Sequence, residues 1–126
     1  MSNHSPNILI VDDDPSIREL LLASLLEEEF TVDAAADGPT ALQLIGTEDF
    51  DLIVMDVRLA GELDGIETVQ CARQTYPLLR VLYISGYLDP VSRSDLDDFV
   101  RKPFGVREFV GCVWELLHRH VSSDFG

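Results

Sequence analysis

The sequence predicts a single α/β domain with a doubly wound parallel sheet. Short apolar runs alternate along the chain with segments of helical periodicity, a pattern typical of βαβ units joined by right-handed crossovers. The first, third and fourth apolar runs have no polar face, as expected for the central strands of a parallel sheet. With 126 residues, 46% of them hydrophobic, the chain can form one domain with its own core.

The apolar runs predict five strands, at residues 7–11, 31–35, 52–55, 81–84 and 99–101. The last run is too short to predict a strand from its own pattern, so its assignment depends on the elements around it. We expect one domain over residues 7–121, with flexible tails at residues 1–6 and 122–126.

Helical patterns fill the gaps between the strands. Asp14 can cap the first helix, because Pro15 follows it at a position where proline is favoured. Further helices are predicted over residues 39–46, 65–75 and about 105–120.

The gap between the fourth and fifth strands, residues 86–98, is the exception. It is close to the roughly 10–12 residues that a crossover with a helix requires, and it contains Pro90 and several poor helix formers. The sequence therefore predicts a fourth helix that is short, distorted or absent.

The charge balance limits the kinds of partner. The chain has 23 acidic and 9 basic residues, a net charge of −14, and Lys102 is its only lysine. Nucleic-acid binding depends on basic residues that neutralise phosphates, so we expect no direct contact with DNA or RNA.

No apolar run approaches the ~20 residues of a membrane span, and a soluble cytoplasmic protein is expected. Cys71 and Cys112 lie within apolar helical patterns and are expected to be buried, reduced thiols.

Polar residues that could act in catalysis or bind a ligand follow four of the predicted strands. In a doubly wound sheet, ligands bind beyond the carboxyl ends of the strands. The residues that follow the first, third, fourth and fifth strands are Asp12, Asp13, Asp14, Asp56, Ser85 and Lys102. A helix cap explains Asp14 without a function, and ordinary surface or turn interpretations exist for Asp12, Asp13, Ser85 and Lys102 when each is taken alone. Asp56 ends an apolar run, where an aspartate is poorly placed unless it has a partner. Their joint placement at one edge favours a site.

The three carboxylates of Asp12, Asp13 and Asp56 need a cation if they converge. Two carboxylates about 4 Å apart repel by roughly 4 kcal/mol at an effective dielectric near 20. Three such pairs would cost on the order of 10 kcal/mol, comparable with the whole stability of about 5–15 kcal/mol of a domain. Mg²⁺ prefers carboxylates, waters and phosphate oxygens. The residues therefore indicate a phosphoryl-transfer centre with a carboxylate nucleophile, Mg²⁺, a hydroxyl and an ammonium.

Four segments in order along the chain resemble the receiver domain of bacterial two-component response regulators. They are ILIVDDDPSIRELL, DLIVMDVRLAGELDG, VLYISGY and VRKPF, and the resemblance spans residues 7–121. It implies a flavodoxin-like sheet with strand order 2-1-3-4-5. It also implies a sensor histidine kinase or a histidine phosphotransfer protein as phosphodonor, a possible output protein, and a monomer or weak dimer.

The resemblance implies a role for each matching position. Asp56 would accept the phosphoryl group. Mg²⁺ would be held by Asp12, Asp13, Asp56 and the backbone carbonyl of Arg58. Ser85 and Lys102 would contact the phosphoryl oxygens.

Phe99 stands where the family has a rotating aromatic, which moves inward as Ser85 shifts toward the phosphate. An ordinary core aromatic of the last strand is the simpler interpretation of Phe99.

The sequence departs from the usual family pattern in the loop after Asp56, where Ala60 stands at the usual proline position and one extra residue precedes the DG pair. The 86–98 segment is a second departure, because the family usually has about one helical turn more here. In receivers this region is part of the face that reports phosphorylation.

Two other functions fit parts of the pattern. A haloacid dehalogenase-like phosphatase would use Asp12 as nucleophile and Asp14 as general acid. A receiver-fold binding module would switch without phosphorylation, and the short 86–98 segment favours it. In the receiver interpretation the chain is not an enzyme and catalyses only its own phosphorylation and dephosphorylation.

Overall fold

The computed structural model describes residues 5–86 and 96–123. Within these residues the chain forms five strands and four helices. Their bounds are β1 (Asn7–Val11), α1 (Pro15–Glu27), β2 (Thr31–Ala35), α2 (Gly38–Thr47), β3 (Leu52–Asp56), α3 (Gly65–Arg73), β4 (Val81–Ser85), β5 (Asp97–Arg101) and α4 (Val106–Ser123).

All five strands form one parallel sheet in the order β2-β1-β3-β4-β5. The predicted fold class and strand order are therefore confirmed. The register pairs Asp56 with Ile84 and Ser85 with Arg101. Because parallel strands end on the same side, this register brings the residues after β1, β3, β4 and β5 to one edge of the sheet.

Both faces of the sheet are buried, and successive side chains of each strand contribute to opposite faces. One face packs against α1 and α4 through Ile8, Ile10, Leu52, Val54, Leu82, Ile84, Leu21, Leu25, Phe109 and Val113. The other packs on the side of α2 and α3 through Leu9, Val11, Ile53, Met55, Val81, Tyr83, Ala41, Ile45, Val69 and Ala72. Since both faces are covered by apolar packing, a polar site on this sheet lies at its edge.

Aspartates start the first three helices. The predicted cap of α1 is confirmed, because Asp14 Oδ1 accepts a hydrogen bond from the N–H of Ser16 at 2.9 Å. Asp37 caps α2 in the same way, and Asp64 forms a reciprocal capping box with Glu67 at the start of α3. These caps fix the points at which the chain leaves the carboxyl edge of the sheet.

Several predicted boundaries shift in the structure. Strand β5 begins at Asp97, two residues before the prediction, so the connection from β4 is residues 86–96. The predicted short fourth helix falls on residues 87–95, which lie outside the described residues, as do most of the predicted tails. Helix α4 continues to Ser123, past its predicted end. Both cysteines are free. The expectation that they are buried was wrong for Cys71, whose side chain is exposed, and Cys112 is only partly buried.

Where the structure describes the chain, none of its helices is both long enough and apolar enough to cross a membrane.

Candidate functional site

Three carboxylates meet at the carboxyl edge of the sheet. One oxygen from each of Asp12, Asp13 and Asp56 lies within 4.8 Å of the others. The side chains of Asp12 and Asp56 are buried, with 0% and 5% of their surface exposed, whereas Asp13 is exposed. The structure thus brings together the three acidic residues that the sequence placed after β1 and β3.

A backbone N–H group holds each carboxylate. The N–H of Asp14 donates to Asp12 Oδ1 at 2.9 Å, and that of Arg58 donates to Asp56 Oδ1 at 3.0 Å. The N–H of Ala60 donates to Asp13 Oδ2 at 3.2 Å. Each bond engages one oxygen of its carboxylate, and the second oxygen of Asp12, Oδ2, has no hydrogen-bond partner in the described residues.

Burial opposes ionisation of the two inner carboxyls. Desolvation raises the pKa of Asp12, and the N–H of Asp14 and the charge of Lys102 offset it in part. Desolvation likewise raises the pKa of Asp56 to about 6, against the opposing effect of the Arg58 N–H. The negative charge of Asp12 raises the pKa of Asp56 further, while Lys102 lowers it. A bound cation would favour the ionised form of both groups.

Ser85 and Lys102 occupy the neighbouring part of the same edge. Ser85 ends β4 and is fully buried, and its hydroxyl has no hydrogen-bond partner within residues 5–86 and 96–123. Its carbonyl accepts the backbone N–H of Lys102 at 2.9 Å. The Lys102 side chain is exposed, and its charge lowers the pKa of both Asp12 and Asp56. The ammonium group therefore lies close enough to interact electrostatically with the carboxylates.

Phe99 is partly buried on the α2 and α3 side of the sheet. Its ring stacks on Tyr83, with ring centroids 5.1 Å apart and planes inclined by 21°. The two residues are partners in the β4–β5 register. This packing fits the simpler interpretation of Phe99 as a core aromatic, and it places the ring on the strand adjacent to Ser85.

Gly65 has a positional role that the sequence reasoning missed. A Cβ at this residue would collide with the backbone carbonyl oxygen of Asp56. The N–H of Gly65 donates to the carbonyl of Val57 at 2.9 Å. Only glycine therefore allows the start of α3 to pack this closely against the end of β3. The available sequence signal for this role was the pair Asp64-Gly65, which follows the strand that ends at Asp56.

Arg18 also went unnoticed in the sequence. Its Nη1 atom donates to the backbone carbonyl of Asp12 at 2.9 Å. This bond joins the first turn of α1 to the end of β1, where the acidic residues begin. An arginine four residues after a helix cap carries no sequence signal for such a contact.

An open groove runs beside the acidic cluster. It has a volume of about 580 Å³ and is lined by Asp13, Val57, Arg58, Leu59, Ala60, Asp64 and Ile66. The groove gives access to the exposed Asp13 from the side of the β3–α3 loop.

The donor set fits a hard divalent cation. All three converging side chains are carboxylates, and Asp12 Oδ2 is a buried oxygen without a hydrogen-bond partner in the described part of the chain. Mg²⁺ prefers oxygen ligands, carboxylates among them, and completes its octahedron with waters and phosphate oxygens. An oxygen-only cluster with one exposed member suits that requirement.

Comparison with known proteins gives one family. Residues 8–113 match the family described as the response regulator receiver domain. A Francisella response regulator receiver domain is 31% identical, with a TM-score of 0.80 over 92% of this chain and 99% of the other. A CheY-like receiver domain protein from Methanospirillum hungatei is 25% identical, with a TM-score of 0.82 over 94% of this chain and 98% of the other. NtrX from Brucella abortus is 26% identical, with a TM-score of 0.82 over 97% of this chain but 30% of its own.

Proposed function

The chain belongs to the response regulator receiver family and has a phosphoacceptor role in two-component signalling, and from this premise we propose that Asp56 is the residue that accepts the phosphoryl group. One observation carries the assignment. Asp56 is the buried carboxylate that ends a central strand, and its pKa is raised to about 6 among the charges of Asp12, Asp13 and Lys102. A carboxylate that is desolvated in this way is a better nucleophile than one in water.

Asp12, Asp13 and Asp56 would hold Mg²⁺, with the backbone carbonyl of Arg58 as a further ligand. The N–H of Arg58 already donates to Asp56, so the backbone of this residue lies at the cluster. Bound there, the ion would neutralise negative charge on the carboxylates and on the incoming phosphoryl oxygens.

Asp56 performs the transfer itself. A carboxylate oxygen of Asp56 forms the new P–O bond while the P–N bond to the donor imidazole breaks, and the imidazole leaves. Ser85 supplies a hydroxyl and Lys102 an ammonium for the phosphoryl oxygens. The Ser85 hydroxyl has no partner in the described residues, which leaves it free to donate to such an oxygen.

The partners follow from the chemistry. The donor is a sensor histidine kinase or a histidine phosphotransfer protein, and an output protein receives the signal by direct contact. Phe99 would act as the aromatic that responds to Ser85. We place these exchanges in the cytoplasm, between a monomer or weak dimer and its protein partners, without nucleic-acid or membrane contact. Beyond its own phosphorylation and dephosphorylation the domain has no enzymatic activity in this proposal.

The phosphatase alternative conflicts with the position of Asp14. Its Oδ1 atom accepts hydrogen bonds from Ser16 and Ile17 at the start of α1. A carboxyl that accepts the first N–H groups of a helix has a structural role there, and this role accounts for Asp14 without a general acid. No comparable observation favours the second alternative, a binding module that needs no phosphorylation.

A small phosphodonor tests the assignment. Incubation with acetyl phosphate and Mg²⁺ should add one phosphoryl group to the intact protein, measured by mass spectrometry. Asp56→Asn should abolish this gain, whereas Asp14→Asn, which keeps a good helix cap, should retain it. A gain that persists in Asp56→Asn, or no gain in the parent protein, would contradict the proposal.

A further inference from the structure

The three carboxylates of the site are held in different ways. Asp12 and Asp56 are buried and accept an N–H group from two residues further along the chain. Asp13 is exposed, and its donor, Ala60, lies 47 residues away. Packing restrains the first two side chains, whereas Asp13 depends on a loop from another part of the sequence.

We propose that the backbone N–H of Ala60 is a positioning group for Asp13, and that the loop of residues 57–64 sets the Mg²⁺ affinity through this hydrogen bond. The inference rests on the proposed Mg²⁺-dependent function. The Ala60 N–H engages Asp13 Oδ2 and leaves Oδ1 for the cation. Hydrogen bonds of this kind orient a ligating carboxylate before the metal arrives.

The loop that carries Ala60 is anchored at both ends. At its start, the N–H of Val57 donates to the carbonyl of Ile84 at 3.0 Å, and that of Arg58 donates to Asp56. At its end, Gly65 packs against the Asp56 backbone, and its N–H donates to the carbonyl of Val57. The position of the Ala60 N–H is therefore set by the same backbone that positions Asp56.

Gly61 lets the loop turn directly after the donor. Its φ angle is +101°, a region that residues with a Cβ rarely adopt. The chain can therefore change direction immediately after Ala60 and return to Asp64, which caps α3. The loop conformation that brings Ala60 to Asp13 thus depends on a local backbone feature.

Two substitutions at Ala60 separate the donor from the side chain. Ala60→Pro removes the N–H group, and Ala60→Val keeps it at the same exposed position. Loss of a group that orients a metal ligand typically lowers affinity by about 10–100-fold. Because Asp13 is exposed, we expect Ala60→Pro to weaken Mg²⁺ binding by about tenfold, at the low end of that range, and Ala60→Val to leave it nearly unchanged. Isothermal titration calorimetry or an NMR titration with Mg²⁺ alone measures this.

A double-mutant cycle distinguishes positioning from general distortion of the loop. In an Asp13→Ala background, the Ala60→Pro and Ala60→Val proteins should bind Mg²⁺ with equal affinity, because the group that Ala60 positions is gone. Equal losses from Ala60→Pro with and without Asp13 would overturn the proposal. So would an Ala60→Pro protein that binds Mg²⁺ as well as the parent. If the parent itself binds no Mg²⁺, the proposed function fails rather than this inference alone.

Hydrogen exchange keeps the proposal testable if Ala60→Pro does not fold. In the parent protein we expect the Ala60 amide to be protected, and saturating Mg²⁺ to preserve that protection. Asp13→Ala should speed its exchange, whereas Asp49→Ala, a change at another exposed acid, should not. Unchanged exchange in Asp13→Ala, or loss of protection on adding Mg²⁺, would overturn the proposal.

Discussion

The two halves of the carboxyl edge differ in whether their polar side chains are already held by hydrogen bonds. In the acidic half, each of the three carboxylates accepts a backbone N–H group. In the other half, the buried hydroxyl of Ser85 has no partner in the described residues and the side chain of Lys102 is exposed. We infer that the first half is assembled before any ligand binds, and that the phosphoryl group completes the second half. Variants in each half should therefore differ in which step they affect.

Of the two residues in the second half, Lys102 should have the larger effect, and Lys102→Gln should move two measurements in opposite directions. Loss of a cation that stabilises developing charge typically lowers a rate by about 10²-fold or more, so we expect phosphorylation by acetyl phosphate to slow by about 100-fold. Mg²⁺ binding should strengthen, because a positive charge near the carboxylates is removed. Calorimetry and intact mass measure the two effects, and Arg107→Gln on α4 is the matched control. Parallel losses of affinity and rate would contradict the division into halves.

Asp56→Asn should make the metal-free protein more stable at neutral pH. The pKa of Asp56 is about 6 in the folded protein, above its ordinary value of 3.8. The folded state therefore binds more protons than the unfolded state between about pH 4 and pH 6, so stability falls as pH rises through that window. Above it, ionised Asp56 costs on the order of 3 kcal/mol.

Denaturant unfolding from pH 4 to pH 8 measures this cost. The gain from Asp56→Asn should be small near pH 4 and complete above about pH 7. Asp49→Asn, at an exposed acid away from the site, should show no such dependence. A gain from Asp56→Asn that is independent of pH would show that burial does not raise the pKa of this carboxyl.

Ser85→Ala should have the smallest effect and should separate stability from chemistry. The Ser85 hydroxyl is buried without a partner in the described residues, so its removal should change the free energy of unfolding very little. Phosphorylation should slow by about tenfold, because one donor to the phosphoryl group is lost. Ser24→Ala is the contrasting control, since the buried Ser24 hydroxyl donates to the Leu21 carbonyl at 2.8 Å. That change should cost about 1 kcal/mol and leave phosphorylation unaffected. A large loss of stability in Ser85→Ala would indicate that its hydroxyl is already bonded at rest.

The sequence was sufficient for the features that depend on local patterns. The continuous apolar runs predicted the central strands, and Asp14 followed by Pro15 predicted the start of α1. The convergence of Asp12, Asp13 and Asp56 followed from the parallel order of the strands that precede them.

Features that depend on distant contacts were beyond the sequence. The bond from Ala60 to Asp13 joins residues 47 positions apart, and the turn that follows Ala60 has a positive φ angle at Gly61. The raised pKa of Asp56 depends on its degree of burial, which a strand pattern does not quantify. Strand β5 begins at Asp97, where the carboxylate pairs with Arg73 at 2.6 Å, and a polar start of this kind has no apolar signal.

The most direct test of the site is to map the phosphoryl group itself. The parent protein is phosphorylated with acetyl phosphate and Mg²⁺, the acyl phosphate is reduced with borohydride, and the modified residue is located by peptide mass spectrometry. We expect the modification at Asp56 alone, and none when Mg²⁺ is removed with a chelator. Modification at Asp12, or at Asp56 to the same extent without Mg²⁺, would contradict the proposed arrangement.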